Sequence, residues 1–284
     1  MAIAEIARMM LPAGIAKLVL LLAIFIKPRS ALNRSLAAGS SSKGIITNGS
    51  PARRPVMMMM SSKITVADVL RDPKWPDRWP FKPADFSRQD ETIDNSFYSE
   101  PRLVTHIDDQ AIKALTAYYK REIKDGSAVL DVCSSWISHF PSDAKYSRAA
   151  GLGMNKFELS KNTQLSEYVV QDLNRDPVFP FADSTFDFVT CVVSVDYLTR
   201  PLEVFSEMRR VLKPGGSVVI SQSNRCFPTK AINIWLRTND IEHVFIIGSY
   251  FHYATGYTKP AAEDITPKSL FGSDPMYIIR ASKA

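Results

Sequence analysis

Carboxylates are almost missing from the first quarter of this sequence. Residues 1–67 contain nine Lys or Arg but a single acid, Glu5, so this segment carries a charge of +8. The whole 284-residue chain has a net charge of only +6, and residues 68–284 therefore carry −2. A nearly neutral remainder gives no electrostatic reason to expect binding to nucleic acid. We predict that the chain does not bind nucleic acid.

Cysteine is also scarce. Cys133, Cys191 and Cys226 are the three cysteines of the chain. Three widely separated cysteines are too few for a disulfide framework and lack the spacing of a zinc site. The sequence therefore predicts a reduced compartment and no metal site.

No uninterrupted apolar stretch is long enough to span a bilayer. The longest, residues 18–26, has nine residues, whereas a membrane-spanning helix needs about 20. Residues 1–62 are poor in acids, contain scattered Arg and Lys, and are rich in Ser from Ser30 onward, a composition typical of an organellar transit peptide. We predict a targeting presequence at residues 1–62 and a chloroplast location. The alternatives are a mitochondrial location, a secretory signal and a membrane anchor, the last two through the apolar run at residues 18–26. Membrane contact would then come only from this leader.

Residues 63–108 form a second segment of unusual composition. Between residues 71 and 86 they contain four prolines and four Trp or Phe residues. Prolines at this density disfavour both helices and sheet ladders. We predict an extended segment that packs on the surface of the following domain, residues 109–284.

The domain at residues 109–284 alternates between strand and helix signals. Residues 127–135 contain four apolar residues around Asp131, which is typical of a strand buried on both faces of a parallel sheet. Short alternation of this kind predicts βαβ units and a parallel sheet. The predicted helices are one capped by Asp108 or Asp109 that ends near Glu122, one that begins at Lys156 after an Asn155 cap, and one from Pro201 with an apolar stripe that includes Leu212. The predicted strands are at residues 127–135, 148–152, 167–171, 186–193 and 217–221.

The last part of the chain changes character. Asn239 and Glu242 form a capping pair for a helix that Gly256 would end. Two short strands, one around Tyr257 and one at residues 276–281, would then form an antiparallel pair at the sheet edge.

Two enzyme classes lack their signatures here. A nicotinamide-dependent dehydrogenase would have Gly-x-Gly-x-x-Gly directly after the first strand, and an α/β-hydrolase would have Gly-x-Ser-x-Gly. Neither motif occurs in the sequence. A catalytically inactive domain that binds a small molecule or a protein partner remains an alternative.

The order of short motifs resembles a known family. These motifs are Val-Leu-Asp-Val at 129–132, Asp-Leu at 172–173, Pro-Phe at 180–181, Phe-Asp-Phe-Val at 186–189 and Arg-Val-Leu-Lys-Pro-Gly-Gly at 210–216. They resemble the class I S-adenosylmethionine-dependent methyltransferases, most closely the type 11 subgroup that acts on small molecules. Further segments at 97–98, 101–102, 106–108 and 223–228 resemble a plant and algal subfamily of these proteins.

The resemblance covers about residues 127–223 and implies a fold, a cofactor and a reaction. The fold is α/β and Rossmann-like, with a mostly parallel seven-stranded sheet and an antiparallel C-terminal strand. The cofactor is S-adenosyl-L-methionine, and the reaction is transfer of its methyl group to a small-molecule acceptor by in-line displacement.

The resemblance also implies which residues contact the cofactor at the end of the first strand. Asp131 occupies the position of the family carboxylate that orients the loop and the methionine end of the cofactor. Cys133, Ser134 and Ser135 occupy the glycine-rich loop, although this loop contains no glycine. Glycine allows positive φ and close backbone approach, so we expect local strain here.

Four more cofactor residues follow from the resemblance at the ends of later strands. Asn155 stands where the family usually has an acid that meets the ribose hydroxyls. Asp172 would meet the adenine amino group, with Leu173 against the ring. Ser194 would face the reacting methyl group.

The sequence does not single out a catalytic residue. A general base is needed only if the acceptor must first lose a proton, and His106, His139 and Asp196 are equal candidates for that role. Arg225, just after the fifth predicted strand, could meet an anionic acceptor.

Overall fold

The computed structural model describes Ile6, Met9, residues 64–269 and residues 272–284. The predicted presequence and its apolar run at residues 18–26 lie outside the described residues, except for Ile6 and Met9. Ile6 is buried in the larger of two core clusters, and the Met9 carbonyl accepts a hydrogen bond from the Lys74 amide at 2.9 Å. Among the helices of the described part, none is both long and apolar enough to cross a bilayer.

A seven-stranded sheet forms the centre of the domain, in the order β3-β2-β1-β4-β5-β7-β6. All neighbouring strands from β3 to β5 pair in parallel, whereas β7 is antiparallel to both β5 and β6. The predicted α/β, Rossmann-like class with a mostly parallel seven-stranded sheet is therefore confirmed. The strands are β1 (Ala128–Ser134), β2 (Arg148–Gly153), β3 (Glu167–Val170), β4 (Phe186–Val192), β5 (Leu212–Gln222), β6 (Ala261–Asp264) and β7 (Tyr277–Ser282).

Helices cover both faces of this sheet. The described α-helices are α1 (Val66–Val69), α2 (Asp94–Phe97), α3 (Asp109–Glu122), α4 (Lys156–Lys161), α5 (Pro201–Val211), α6 (Asn233–Leu236) and α7 (Asp240–Ala254), with 3₁₀ turns at Pro83–Asp85 and Val195–Tyr197. The smaller core cluster joins Leu115 and Tyr119 of α3 to Val129, Val219 and Ile278 of the sheet. The larger cluster joins α5 and α7 to the opposite face, so the domain has three layers.

Helix α3 begins and ends where its sequence predicts. The side chain of Asp108 accepts hydrogen bonds from the backbone N–H groups of Gln110 and Ala111, which would otherwise lack partners at the helix start. The same carboxylate accepts from the Asp274 amide at 2.6 Å. Helix α3 is thereby tied to the segment that leads into β7.

Two element boundaries differ from the sequence prediction. Leu212, expected on the apolar stripe of the helix after Pro201, instead begins β5 and pairs with Phe186. Leu212 is fully buried, so its position in a strand removes the apolar side chain from water as completely as a helix position would. Tyr257 forms an isolated bridge with Lys283, and the edge strand β6 begins later, at Ala261.

The proline- and tryptophan-containing segment packs on α7. Trp75 stacks on Phe245 with ring centroids 4.7 Å apart, and the Tyr253 hydroxyl donates to the Pro76 carbonyl at 2.6 Å. Sequence periodicity predicts one buried face for α7, whereas residues 242–251 are buried all around. The difference arises because this segment covers the side of α7 that faces away from the sheet.

Candidate functional site

A cavity of about 320 Å³ opens at the carboxyl ends of the parallel strands, where ligands bind in open α/β sheets. Its volume lies within the range of roughly 300–1,000 Å³ found for small-molecule sites. Five of the eight predicted cofactor residues line it, namely Cys133, Ser134, Ser135, Asn155 and Ser194. A recess of about 50 Å³ adjoins the cavity and is lined by Cys133, Ser134, Ser135 and Ser194 as well as by Asp131.

Asp131 anchors the loop that follows β1. Its carboxylate accepts hydrogen bonds from the hydroxyls of Ser134 at 2.6 Å, Ser138 at 2.7 Å and Thr190 at 3.0 Å. Burial raises the pKa of Asp131 to about 6, although the three hydroxyls act in the opposite direction. The side chain therefore fixes both ends of the loop and ties it to β4.

Backbone strain is found at two points of the cavity wall. Cys133, at the end of β1, has φ +58°, and Val193, at the end of β4, has φ +39°. Positive φ costs a non-glycine residue on the order of 1 kcal/mol and is a marked outlier for a β-branched residue such as Val193. The expected strain in the glycine-free loop is thus present, and strain of this kind concentrates at ligand sites.

One glycine beside the loop cannot be replaced. A Cβ atom at Gly153 would lie 2.1 Å from the carbonyl oxygen of Ser134, so the loop backbone rests directly on the end of β2.

Asn155 caps α4 and has every hydrogen-bonding group in use. Its side-chain oxygen accepts from the amides of Phe157 and Glu158, while its amide group donates to the carbonyls of Tyr98 and Ser99. A side-chain amide offers two donors and two acceptor lone pairs. Contact of Asn155 with a ribose stays a prediction, and it would require one of these bonds to be exchanged.

Glu158 is a cavity residue that sequence reasoning missed. One carboxylate oxygen accepts from the Arg102 amide and the other from the Ser135 hydroxyl, both at 2.6 Å. A carboxylate has about four acceptor positions, so Glu158 can accept further bonds from a ligand in the cavity. Its position three residues after the Asn155 cap, in the first turn of a helix, is the sequence signal that could have identified it.

Asp172 and Leu173 lie away from this cavity. Asp172 accepts hydrogen bonds from the amides of Asn174 and Arg175 and borders a separate, open groove with Trp79 and Arg88. Leu173 is only 2% exposed and belongs to the larger core cluster. Contact of these two residues with adenine stays a prediction.

A strap, residues 94–106, forms the wall of the cavity opposite the sheet. It contributes Tyr98, Arg102, Thr105 and His106. Trp136 lines the adjoining recess and not the main cavity, and its indole N–H donates to the strap carbonyl of Val104 at 3.0 Å.

Lys230 fixes the start of the strap. Its fully buried ammonium lies 3.2 Å from carboxylate oxygens of both Asp90 and Asp94, and Arg88 makes two further bonds to Asp94. Breaking a buried ion pair by removing one partner costs roughly 3–5 kcal/mol, so this cluster is a strong attachment.

The structure separates the three base candidates. His139 lies outside the main cavity, its Nδ1 has no partner among the described residues, and burial lowers its pKa to about 4. His106 lines the cavity beside Phe227, and burial lowers its pKa. Asp196 also lines the cavity, and burial raises its pKa to about 7.

Arg225 reaches the same cavity but is already paired. Its guanidinium contacts Asp274 at 2.7 Å. In the described part of the chain, no group of three or more His, Cys, Asp or Glu side chains could hold a metal ion.

Comparison with known proteins adds family information. Residues 149–220 match the family model Methyltransf_11, described as a methyltransferase domain. The chain is 35% identical over 112 residues to a demethylmenaquinone methyltransferase of Bacillus velezensis, covering 36% of this chain and 48% of that protein. A Bacillus cereus demethylmenaquinone methyltransferase is 31% identical over 113 residues, with 37% and 48% covered. The chain thus spans about half the length of these relatives.

One of the solved structures that the chain matches is Haemonchus contortus phosphoethanolamine N-methyltransferase 2 in complex with S-adenosyl-L-methionine. The match has 15% identity and a TM-score of 0.43, and it covers 60% of this chain and 52% of that one. Residues 149–220 are therefore similar to a methyltransferase domain, and about a third of the chain is similar to part of two Bacillus methyltransferases.

Proposed function

We propose that this protein transfers a methyl group from S-adenosylmethionine to a small-molecule acceptor by in-line displacement. When bound, S-adenosylmethionine supplies an electrophilic methyl group on a positively charged sulfur. The protein's own contribution is then to bind, align and desolvate the two reactants. The cavity at the carboxyl ends of β1, β2 and β4 is the observation that carries this proposal.

The loop after β1 supports a cofactor site on the sheet side of the cavity. The Ser134 hydroxyl donates a hydrogen bond to Asp131, and the Ser135 hydroxyl donates one to Glu158. Both hydroxyl oxygens therefore keep lone pairs that can accept hydrogen bonds from a ligand. The Asp131 anchor holds this loop in one position before a ligand arrives. Such preorganisation lowers the entropic cost of binding.

Glu158 supports the same assignment from a second element. A nucleoside carries two adjacent ribose hydroxyls, and a carboxylate with spare acceptor positions is a suitable partner for them. We assign the contact with the ribose hydroxyls to Glu158. The other proposed cofactor contacts are those that the family resemblance implies, namely Asp131, Cys133, Ser134, Ser135, Asn155, Asp172, Leu173 and Ser194.

The strap supplies the acceptor side. Tyr98 of the strap lies between Tyr197 and Phe227, with ring centroids 5.7 and 6.4 Å away, so three aromatic rings meet on this side of the cavity. An aromatic wall excludes water from the reacting atoms and accommodates an apolar acceptor.

Calorimetric titration of the full-length protein tests the proposal. We expect S-adenosylmethionine and S-adenosylhomocysteine both to release heat and to raise the melting temperature. Glu158→Gln keeps the shape of the side chain but removes its charge, and we expect it to weaken binding about tenfold, consistent with the strength of charge-assisted hydrogen bonds.

Glu203→Gln is the matched control, because Glu203 is half exposed in α5 and lies outside the cavity. It should bind both ligands as the parent does. Absence of heat and of any thermal shift in the parent protein would contradict the proposed function.

We also propose that residues 1–62 direct the protein to the chloroplast, on the composition of this segment alone. A fluorescent fusion to residues 1–62 should co-localise with chlorophyll, and co-localisation with a mitochondrial dye instead would contradict the chloroplast assignment.

A further inference from the structure

Asp196 lies on a rigid turn at the floor of the cavity. The turn Val195–Tyr197 follows β4 directly, and the Asp196 carbonyl accepts a hydrogen bond from the Ile232 amide at 2.9 Å. The residue is 5% exposed and lines the cavity. Val193, which has a strained positive φ, lies just before this turn. Backbone strain is therefore located next to the residue that contributes its carboxyl to the cavity wall.

The carboxyl group of Asp196 has almost no partner of its own. Among the described residues, the one hydrogen bond that acts on it comes from its own backbone amide. Buried polar groups are normally paired, because an unpaired one costs free energy. A buried carboxyl that faces a cavity without a donor is therefore poorly explained by stability, and it indicates a role with a ligand.

No cation of the residues that the structure describes is paired with Asp196. Arg225 is paired with Asp274, Lys230 with Asp90 and Asp94, and the Arg102 guanidinium donates to the Phe97 carbonyl. The remaining charged or titratable groups of the cavity wall are His106, Glu158, Cys133 and Tyr197. The groups that interact electrostatically with Asp196 are Tyr98 in the strap, Cys191 in β4, Cys226 after β5 and Tyr250 in α7.

These surroundings set the proton affinity of Asp196. With burial as the main influence, the pKa of Asp196 is about 7. Close to neutral pH the side chain can therefore both accept and release a proton, which is the condition for efficient general-base catalysis.

We propose that Asp196 is the general base of the methyl transfer, and that the acceptor is an uncharged aromatic molecule whose nucleophile is a ring hydroxyl. This inference rests on the proposed function. The rings of Tyr98, Tyr197 and Phe227 fit a flat acceptor. A phenolic hydroxyl has a pKa of about 10 and keeps its proton at neutral pH, so it needs a base. A thiol or an anionic acceptor would not need one.

The step balances without another reactant. Asp196 takes the hydroxyl proton while the acceptor oxygen forms a bond to the methyl carbon. The bond between that carbon and sulfur breaks, and its electron pair stays on sulfur as a neutral thioether. The proton then leaves Asp196 for solvent, which restores the carboxylate.

Two naphthalene probes of the same shape test this proposal. 2-Naphthol needs a base, whereas 2-naphthalenethiol loses its proton to water at moderately alkaline pH. At pH 8, we expect Asp196→Asn to lower kcat/KM at least 100-fold with 2-naphthol, the range of general-base catalysis, and less than fivefold with the thiol. Asp196→Glu should recover part of the naphthol activity, and the exposed control Asp183→Asn should match the parent with both probes.

The pH profile gives a second readout. With 2-naphthol, kcat/KM of the parent should rise up to about pH 7 and then level off, and Asp196→Asn should lack this break. Equal losses with both probes would indicate a structural role and overturn the proposal, as would a parent that binds S-adenosylmethionine but leaves 2-naphthol unmethylated. Failure to bind S-adenosylmethionine at all would instead overturn the proposed function.

Discussion

Asp131 within β1 and Asp196 in the turn after the neighbouring strand β4 are both buried, yet the two sites are built differently. Asp131, in β1, receives hydrogen bonds from three hydroxyls. Asp196, after β4, receives one from its own amide. Both carboxyls have a raised pKa, because burial outweighs the hydrogen bonds in each case. The difference indicates that the β1 site holds a loop in place, whereas the β4 site leaves a proton acceptor open to the cavity.

The largest expected effect concerns the charge of Asp196. Burial raises its pKa from an ordinary 3.8 to about 7, so between these values the folded protein binds more protons than the unfolded chain. This difference in proton binding makes its full contribution to the free energy of unfolding below about pH 4. The contribution is lost as the pH rises through 7. At about 1.4 kcal/mol per unit, the loss is at most about 4 kcal/mol.

Asp196→Asn, which cannot ionise, should therefore gain stability relative to the parent as the pH rises from 4 to 8. Urea unfolding at a series of pH values measures this difference. The exposed variant Asp183→Asn should follow the parent throughout. If the free energies of unfolding of Asp196→Asn and the parent differed by the same amount at every pH, the proposed difference between the two carboxyls would be contradicted.

Removing the carboxyl at the β1 site should have the next largest effect. Asp131→Ala leaves the hydroxyls of Ser134, Ser138 and Thr190 without their shared acceptor, at about 1 kcal/mol for each lost hydrogen bond. We expect a loss of about 3 kcal/mol in the free energy of unfolding below about pH 4, where Asp131 is protonated, and a smaller loss at pH 7, because the raised pKa makes the ionised carboxyl of the parent destabilising above pH 6. We also expect weaker binding of S-adenosylhomocysteine. Chemical denaturation and calorimetry measure the two effects, and normal ligand affinity in a destabilised variant would show that the loop does not need its anchor.

Removing one of the three hydroxyls that donate to Asp131 gives a second test of the β1 site. Ser138 is fully buried, donates to Asp131 and accepts from the Asn162 side chain at 2.8 Å. Ser138→Ala should cost about 1–2 kcal/mol and raise the pKa of Asp131 further, because the Ser138 hydrogen bond lowers it. Thermal unfolding at pH 5 and pH 8 detects both consequences, and Ser142→Ala, at an exposed position, serves as the control.

The smallest effect concerns backbone strain. Ser184 lies in an exposed turn with φ +52°, and Ser184→Gly should gain about 0.5–1 kcal/mol because glycine removes the left-handed penalty. Cys133→Gly relieves the same strain but loses the packing of a half-buried thiol, so we expect a smaller net change. Equal gains at both positions, measured by urea unfolding, would mean that the Cys133 side chain contributes no packing.

Much of the fold could be predicted from local patterns. The Asp108 and Asn155 caps, the alternation of strand and helix, and the antiparallel strand at the sheet edge all appear as expected. Each depends on short-range chemistry that a single stretch of sequence contains. Leu212 was misplaced because an apolar residue at a boundary fits a helix stripe and a buried strand equally well.

The site was less predictable. Positions along the chain indicate that residues of the loop after β1 face the cavity. They do not reveal that the Asn155 side chain is fully hydrogen-bonded by the strap and α4, or that Glu158 is the carboxylate with free acceptor positions. The strap comes from a segment more than fifty residues earlier, and no local pattern indicates its contacts.

The sequence by itself determined the order of strands and helices, the buried β1 with its glycine-free loop, and the set of polar residues at the strand ends, because these follow from apolar periodicity and capping chemistry. Only the tertiary structure decided which of those polar residues are satisfied and which remain open. Asp131 and Asp196 are the same residue type at similar positions. Their difference arises from hydroxyl groups that folding brings to one and not to the other.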